Sequence, residues 1–199
     1  MKNIAILVLA AGKSSRMKSI KQLEKINNKT LLEITLENAK KVTSSNIYCV
    51  LGANTDKIKQ EISVKNIVFI FNKNYENGLS SSIISGINYL KKNQLNFDGV
   101  LILLADQPAI ETEYLNSLLD LFQQNNDKII ASKYEHFFGV PAIFPKKHFK
   151  DLLLIKNDKG AKELINNHKN EVFYPKIKTN FIDIDTKEDL FLYKKSILK

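Results

Sequence analysis

An α/β fold built on a mostly parallel, mixed sheet is predicted by three observations. Short continuous apolar runs rich in Val and Ile recur along the chain, amphipathic stretches of helical period separate them, and the two kinds of segment alternate nearly throughout. A strand that is apolar on both sides needs cover on both faces, and helical crossovers between such strands give parallel pairing. Together these features predict a Rossmann-like three-layer α/β/α sandwich, whose ligands are expected at the carboxyl ends of its strands.

The first run, Ile4–Leu9, reads as a buried strand and breaks into the small residues Ala10, Ala11 and Gly12. Helical spacing follows over Leu31–Val42, then a strand over Ile47–Leu51 that carries the sole cysteine, Cys49. Asp56–Ile62 is predicted as a helix, Ile67–Phe71 as a strand, and Ser81–Lys91 as a helix opened by a serine run that suits an N-terminus. Val100–Leu104 is a strand ending at Ala105-Asp106, and Glu111–Phe122 is the helix after it. Strands at Ile129–Ala131 and Val140–Phe144 and helices at Lys146–Leu153 and Gly160–His168 continue the alternation. Near the end, Phe181-Ile182-Asp183-Ile184-Asp185 alternates like a short strand, and Thr186 is placed to cap a helix running to Lys195.

With 199 residues, 44% hydrophobic content and no repeat or low-complexity linker, a single domain over 1–199 is expected. The net charge of +9 comes from lysines scattered among asparagines and acids, with no basic block and no basic stripe interleaved with aromatics. It reads as a solvated surface, and neither a nucleic-acid nor a membrane partner is expected. One cysteine rules out an intrachain disulfide framework. No stretch has the pattern of a secretory leader or the length of a membrane span, so a soluble cytoplasmic protein is expected.

Arg16 is the single arginine among 30 strong bases, and it sits in the turn after the first strand. A guanidinium grips phosphate oxygens two at a time, where lysine offers a point charge. Gly12-Lys13-Ser14 resembles the end of a P-loop, but Leu7 stands where that motif needs its first glycine; the dinucleotide G-x-G-x-x-G fails as well. What remains is Leu9-Ala10-Ala11-Gly12-x-Ser14-Ser15-Arg16-Met17, followed by Lys21-Gln22-Leu23. Further along come Asn77-Gly78-Leu79-Ser80-Ser81-Ser82, Ala105-Asp106-Gln107-Pro108 and Gly139-Val140-Pro141-Ala142-Ile143-Phe144. Asp158-Lys159-Gly160-Ala161-Lys162 and Asp183-Ile184-Asp185-Thr186-Lys187-Glu188-Asp189-Leu190 complete the series.

In this order the segments resemble those of the MobA-like NTP transferase family, and most closely its molybdenum cofactor cytidylyltransferase (MocA-type) members. The resemblance spans almost the whole chain and implies a nucleotide-diphospho-sugar transferase-like architecture. It also implies transfer of CMP from CTP to the phosphate of molybdenum-bound molybdopterin, with release of pyrophosphate. Arg16, Lys21 and Asp106 would be the catalytic residues; Leu9, Ala10, Ala11, Gly12, Arg16, Lys21, Gly78 and Ser82 would bind the nucleotide. Asp106 and Asp185 would hold Mg2+ or Mn2+, hard cations suited to carboxylate oxygens. Gly139, Pro141, Asp158 and Lys162 would face the acceptor, although Asn157 and Lys162 stand where the family carries glycine and arginine. Ala11 matches the cytidylyl-transferring members, which carry Leu-Ala-Ala-Gly where guanylyl-transferring ones carry Leu-Ala-Gly-Gly. The family further implies handover of the product to a molybdoenzyme of the xanthine dehydrogenase type. The alternatives are a related transferase acting on a sugar or alcohol phosphate and a basic nucleic-acid-binding module.

Overall fold

The computed structural model describes residues 2–42, 46–156 and 158–198. Its strands are β1 (Ile4–Ala10), β2 (Lys25–Ile26), β3 (Lys29–Thr30), β4 (Ile47–Leu51), β5 (Val68–Phe71), β6 (Gly99–Leu104), β7 (Ile130–Lys133) and β8 (Phe138–Pro145). The α-helices are α1 (Leu31–Val42), α2 (Thr55–Glu61), α3 (Leu79–Lys92), α4 (Thr112–Gln124), α5 (Phe149–Leu152), α6 (Lys162–Asn167) and α7 (Lys187–Ser196). Six strands form one sheet in the order β5-β4-β1-β6-β8-β7. β1 pairs in parallel with β4 and β6, and β4 with β5, while β8 runs antiparallel to both β6 and β7. The sheet is thus mixed and mainly parallel, as the sequence predicts.

β1 shows why its apolar run is continuous. Ile4, Ile6, Val8 and Ala10 face one core with Leu32, Leu36, Leu115 and Leu118, whereas Ala5, Leu7 and Leu9 face the other with Ile83, Ile87 and Leu90. Successive side chains of a strand alternate faces, so a strand sandwiched between helix layers is apolar at every position. On the second face α3 approaches closely: a Cβ on Gly86 would lie 2.5 Å from both Leu7 methyls.

Phe181–Asp185 is not a sheet strand. The segment crosses the sheet's carboxyl end, where the Ile184 N–H donates to the Asp106 carbonyl at 2.9 Å. Its alternation has a different cause. Ile184 is buried in a small core with Met17, Ile26, Leu31 and Leu190, and its neighbours Asp183 and Asp185 point to other surroundings. The β2–β3 hairpin has no counterpart in the sequence reading, although Asn27 and Asn28 both adopt left-handed φ values of 47° and 68°, the chemistry of a two-residue hairpin turn. The predicted helix over Lys146–Leu153 is a 3-10 turn (Lys146–His148) followed by the short α5.

Candidate active site

The sheet order reverses between β1 and β6: the chain leaves β1 toward β4 and β5, then returns to β6 on the other side. A crevice opens at such a switch point beyond the carboxyl ends of the two strands. Here the turn after β1 supplies Ala11 to Lys21, and the turn after β6 supplies Asp106.

The β1 turn is stapled from within by Gln22, which is 3% exposed. Its amide donates to the Ala10 carbonyl at 2.8 Å and the Gly12 carbonyl at 3.0 Å, and its Oε1 accepts from Ser14 Oγ at 3.2 Å. Ser14 Oγ in turn accepts from the Lys21 N–H at 3.1 Å. Sequence reasoning left Gln22 without a role; its position one residue after Lys21 in the motif was the available signal. The staple fixes the start of the 3-10 turn Lys21–Leu23, and so aims the Lys21 side chain back across the crevice.

Lys21 Nζ donates to Asp106 Oδ2 at 2.6 Å and to Asp185 Oδ1 at 2.8 Å. Burial alone would push the Lys21 ammonium down, but Asp106 and Asp185 outweigh it and hold it above the usual lysine range. Arg16 pairs with the other oxygen of Asp185 at 2.8 Å, with its side chain 69% exposed against 15% for Lys21. Arg16 is therefore free to turn toward a ligand, while Lys21 is part of the wall.

Asp185 owes its place to the start of α7. Thr186 and Asp189 form a capping box, and Asp189 Oδ2 also accepts the Asp185 N–H at 3.1 Å. Beside this pair, Gln107 Nε2 donates to Asp183 Oδ1 at 2.9 Å and to the Tyr134 hydroxyl at 3.1 Å; that hydroxyl donates to the Val140 carbonyl at 2.6 Å. Burial and the nearby Asp106 charge push the Asp183 carboxyl up. Gln107 thus ties the β6 turn to β8.

Asp106 Oδ1 is buried and has no hydrogen-bond partner among the described residues. An orphaned carboxylate oxygen beside a second carboxylate offers hard oxygen ligands to a divalent cation, and Lys21, which bridges the two, competes with it for Asp106 and Asp185. Among the described residues no group of three or more His, Cys, Asp or Glu is arranged to hold a metal. Asp106 and Asp185 would therefore supply one or two ligands, with phosphate oxygens completing the shell, the usual way Mg2+ is bound.

A cleft of about 300 Å3 leads away from Lys21 and Asp106. Leu9, Ala10, Ala11, Gly12, Gly78 and Ser82 all line it, so the structure gathers these predicted nucleotide residues in one place. Gly78 opens α3 at φ 82°, a conformation that favours glycine, and a Cβ there would overlap Asp158 Oδ1. Asp158 thus joins the Gly78 wall of this cleft, and Asn157 lies outside the described residues. Ser82 is buried, its hydroxyl accepting from Asn72 Nδ2 at 3.1 Å. Gly139, Pro141 and Lys162 lie outside the cleft lining. Gly139 packs against Tyr134 and Phe137, whose rings stack 4.6 Å apart, and Lys162 Nζ sits 3.3 Å from the Phe137 ring centre. Among the described residues no histidine lines the cleft, and His148 and His168 meet each other edge to face at 5.0 Å. No helix of the described residues is long and apolar enough to cross a membrane.

Comparison with known proteins bears on the family and the fold. Bifunctional protein GlmU of Francisella tularensis subsp. novicida is 29% identical over 163 residues, which are 81% of this chain and 34% of GlmU, so the chain spans about a third of that relative's length. The crystal structure of the Mycobacterium tuberculosis rv0371c homolog from Mycobacterium sp. strain JC1 superposes with a TM-score of 0.83 at 25% identity, covering 98% of this chain and 96% of that one. Rv0371C from Mycobacterium tuberculosis, solved in complex with manganese, shares the fold with a TM-score of 0.78 at 22% identity, over 98% and 99% of the two chains. The family model for the MobA-like NTP transferase domain matches residues 6–172, a span that holds Arg16, Lys21 and Asp106 and stops short of Asp185. The chain belongs to the MobA-like NTP transferase family, and is a nucleotidyltransferase by that membership.

Proposed function

We propose that this nucleotidyltransferase moves CMP from CTP to the phosphate of molybdenum-bound molybdopterin, with Mg2+ or Mn2+ as its cation. The observation that carries the nucleotidyl-transfer part is the convergence of Lys21, Asp106 and Asp185 at the mouth of a cleft lined by the β1 turn and the start of α3. The acceptor rests on the matching segments Gly139 to Phe144 and Asp158 to Lys162. CTP rests on Ala11, which lines the cleft and matches the Leu-Ala-Ala-Gly of the cytidylyl-transferring members.

In the reaction an acceptor phosphate oxygen forms a bond to the α-phosphorus while the bond from that phosphorus to the bridging oxygen of the β-phosphate breaks. Pyrophosphate leaves with the electron pair. An acceptor that is already a phosphate monoester anion needs little proton removal. Lys21 places a compact charge where the α-phosphate sits, and Arg16 swings from Asp185 to hold the β- and γ-phosphates with both nitrogens. Asp106 and Asp185 would hold a divalent cation, which would supply neutralising charge to the phosphoryl oxygens. Handover of the product to a molybdoenzyme of the xanthine dehydrogenase type belongs to the same reading.

A second acceptor class, a sugar or alcohol phosphate, is favoured by one detail. The base on the acceptor side is Lys162, engaged over the Phe137 ring, rather than a bidentate arginine. Pyrophosphate release measured with each of the four NTPs, Mg2+ or Mn2+, and either molybdenum-loaded molybdopterin or sugar phosphates tests both readings. Turnover with the pterin and CTP is expected; turnover with a sugar phosphate and never with the pterin would replace the acceptor.

A further inference from the structure

The cleft changes chemistry along its length. Lys21 and Asp106 make its charged end at the turns after β1 and β6. Tyr75 lines its far side and is the one aromatic among the described lining residues. It belongs to the 3-10 turn Tyr75–Asn77 after β5, and its root rests on Gly52, the residue after β4. β4 and β6 flank β1 on opposite sides, so Gly52 and Asp106 end strands two spacings apart, roughly 10 Å at about 4.8 Å per spacing. That is about the reach from the α-phosphate of a nucleotide to its base.

Tyr75 is also braced. A Cβ on Gly52 would overlap the Tyr75 Cβ and approach the Ala11 carbonyl oxygen at 2.7 Å, so the backbone after β4 presses directly on the tyrosine. On its solvent side, Lys13 pairs with Glu76 at 2.6 Å and lies 5.8 Å from the centre of the Tyr75 ring, joining the β1 turn to the Tyr75 turn. A half-buried aromatic ring, held at its root by Gly52 and lining a cleft whose other groups are small, aliphatic and polar, can offer an apolar face to a planar ligand.

We propose that Tyr75 is the surface on which the nucleobase stacks, making it a binding residue for the base rather than for the phosphates. The inference rests on the reading that the cleft takes a nucleoside triphosphate. Every base has a π face, so Tyr75 supplies affinity for nucleotides in general, while choice among bases is left to polar contacts such as Ser82.

The chain has no tryptophan, so Tyr75→Trp introduces a single tryptophan at the cleft, whose emission is read with excitation at the red edge that tyrosine does not absorb. CTP with Mg2+ is expected to quench this fluorescence, and inorganic tripolyphosphate with Mg2+, which lacks a base, is expected to leave it unchanged. By calorimetry, Tyr75→Ala should weaken CTP binding about 5- to 100-fold, with tripolyphosphate binding retained and Tyr75→Phe restoring wild-type affinity. Retained tripolyphosphate binding also shows that the alanine variant is folded. Equal CTP affinity in Tyr75→Ala and wild type, or equal quenching by CTP and tripolyphosphate, overturns the stacking role and leaves the transferase reading intact. Absence of any NTP binding to the wild-type protein overturns both.

Discussion

Lys21 Nζ donates to Asp106 Oδ2 at 2.6 Å, so the cation of the β1 turn and the carboxylate of the β6 turn neutralise each other across the switch point of the sheet. Both partners are largely enclosed, with 15% and 23% of their side chains exposed, so the contact is screened less than a surface pair. Asp106→Asn keeps the shape and removes the charge that a divalent cation needs. Steady-state pyrophosphate release is expected to fall by about 100-fold or more, the scale on which single electrostatic groups act in active sites. A fall of less than threefold at saturating metal would show that Asp106 is not a ligand.

Arg16 holds Asp185 through one guanidinium nitrogen while most of the side chain is exposed. Arg16→Lys preserves the charge and loses the fork. A drop of roughly 10- to 100-fold in kcat/KM for CTP is expected, with little change in thermal stability because an exposed pair contributes about 0–1 kcal/mol. Wild-type kinetics in the lysine variant would show that a point charge suffices.

Glu33 should make the protein acid-sensitive. Its Oε2 accepts from the Thr30 N–H and hydroxyl, both at 3.0 Å, and its Oε1 from the Ser63 N–H at 3.1 Å and hydroxyl at 2.7 Å. Burial pushes this carboxyl up, yet the hydrogen bonds prevail and bring it from 4.5 to about 2. A pKa depressed on folding contributes its full stability above the unfolded value and loses it as pH falls toward the folded one. Glu33→Gln should therefore lower stability by about 3 kcal/mol at pH 7, with the gap to wild type closing between pH 4.5 and 2. Thermal unfolding of both proteins at pH 7 and pH 3 measures it; a gap independent of pH would assign the loss to packing.

Gly86 is where α3 meets β1. In Gly86→Ala the helix gains about 1 kcal/mol of propensity, but the new methyl meets the fully buried Leu7 side chain, and overpacking costs about 1–3 kcal/mol. A net loss of about 1 kcal/mol in denaturant unfolding is expected. A stabilised variant would mean that Leu7 repacks freely.

The parts legible in the sequence were those with a local cause. β1, β4 and β6 could be read because both faces of each strand are buried, which writes a continuous apolar run. Phe181–Asp185 carried a true alternation, but alternation reports two environments and not sheet pairing; only Ile184 is buried among hydrophobic side chains. The β2–β3 hairpin was missed because two-residue strands leave almost no pattern beyond Asn27-Asn28. At the site, motif order singled out the β1 turn, Gly78, Ser82 and Asp106, which the structure gathers around one cleft. It did not reveal that Lys21 bridges Asp106 and Asp185, that Gln22 staples the turn, or that Asp158 closes against Gly78. Those relations depend on residues 8 to 164 positions apart, and no local preference records them.

Separation along the chain also dictates when the site can exist. Lys21 and Asp185 are 164 residues apart, and Asp185 is held between the Thr186–Asp189 box and the bond from the Ile184 N–H to the Asp106 carbonyl. At 5–20 residues per second, a ribosome needs roughly 8–30 s to pass from one residue to the other. During that interval β1, β4, β5 and β6 can pair while the carboxylate constellation is half made. Released chains truncated before Asp183 should therefore protect the parallel core from proteolysis yet show weakened Mn2+ binding, and binding equal to that of the full chain would show that Asp185 is not a ligand.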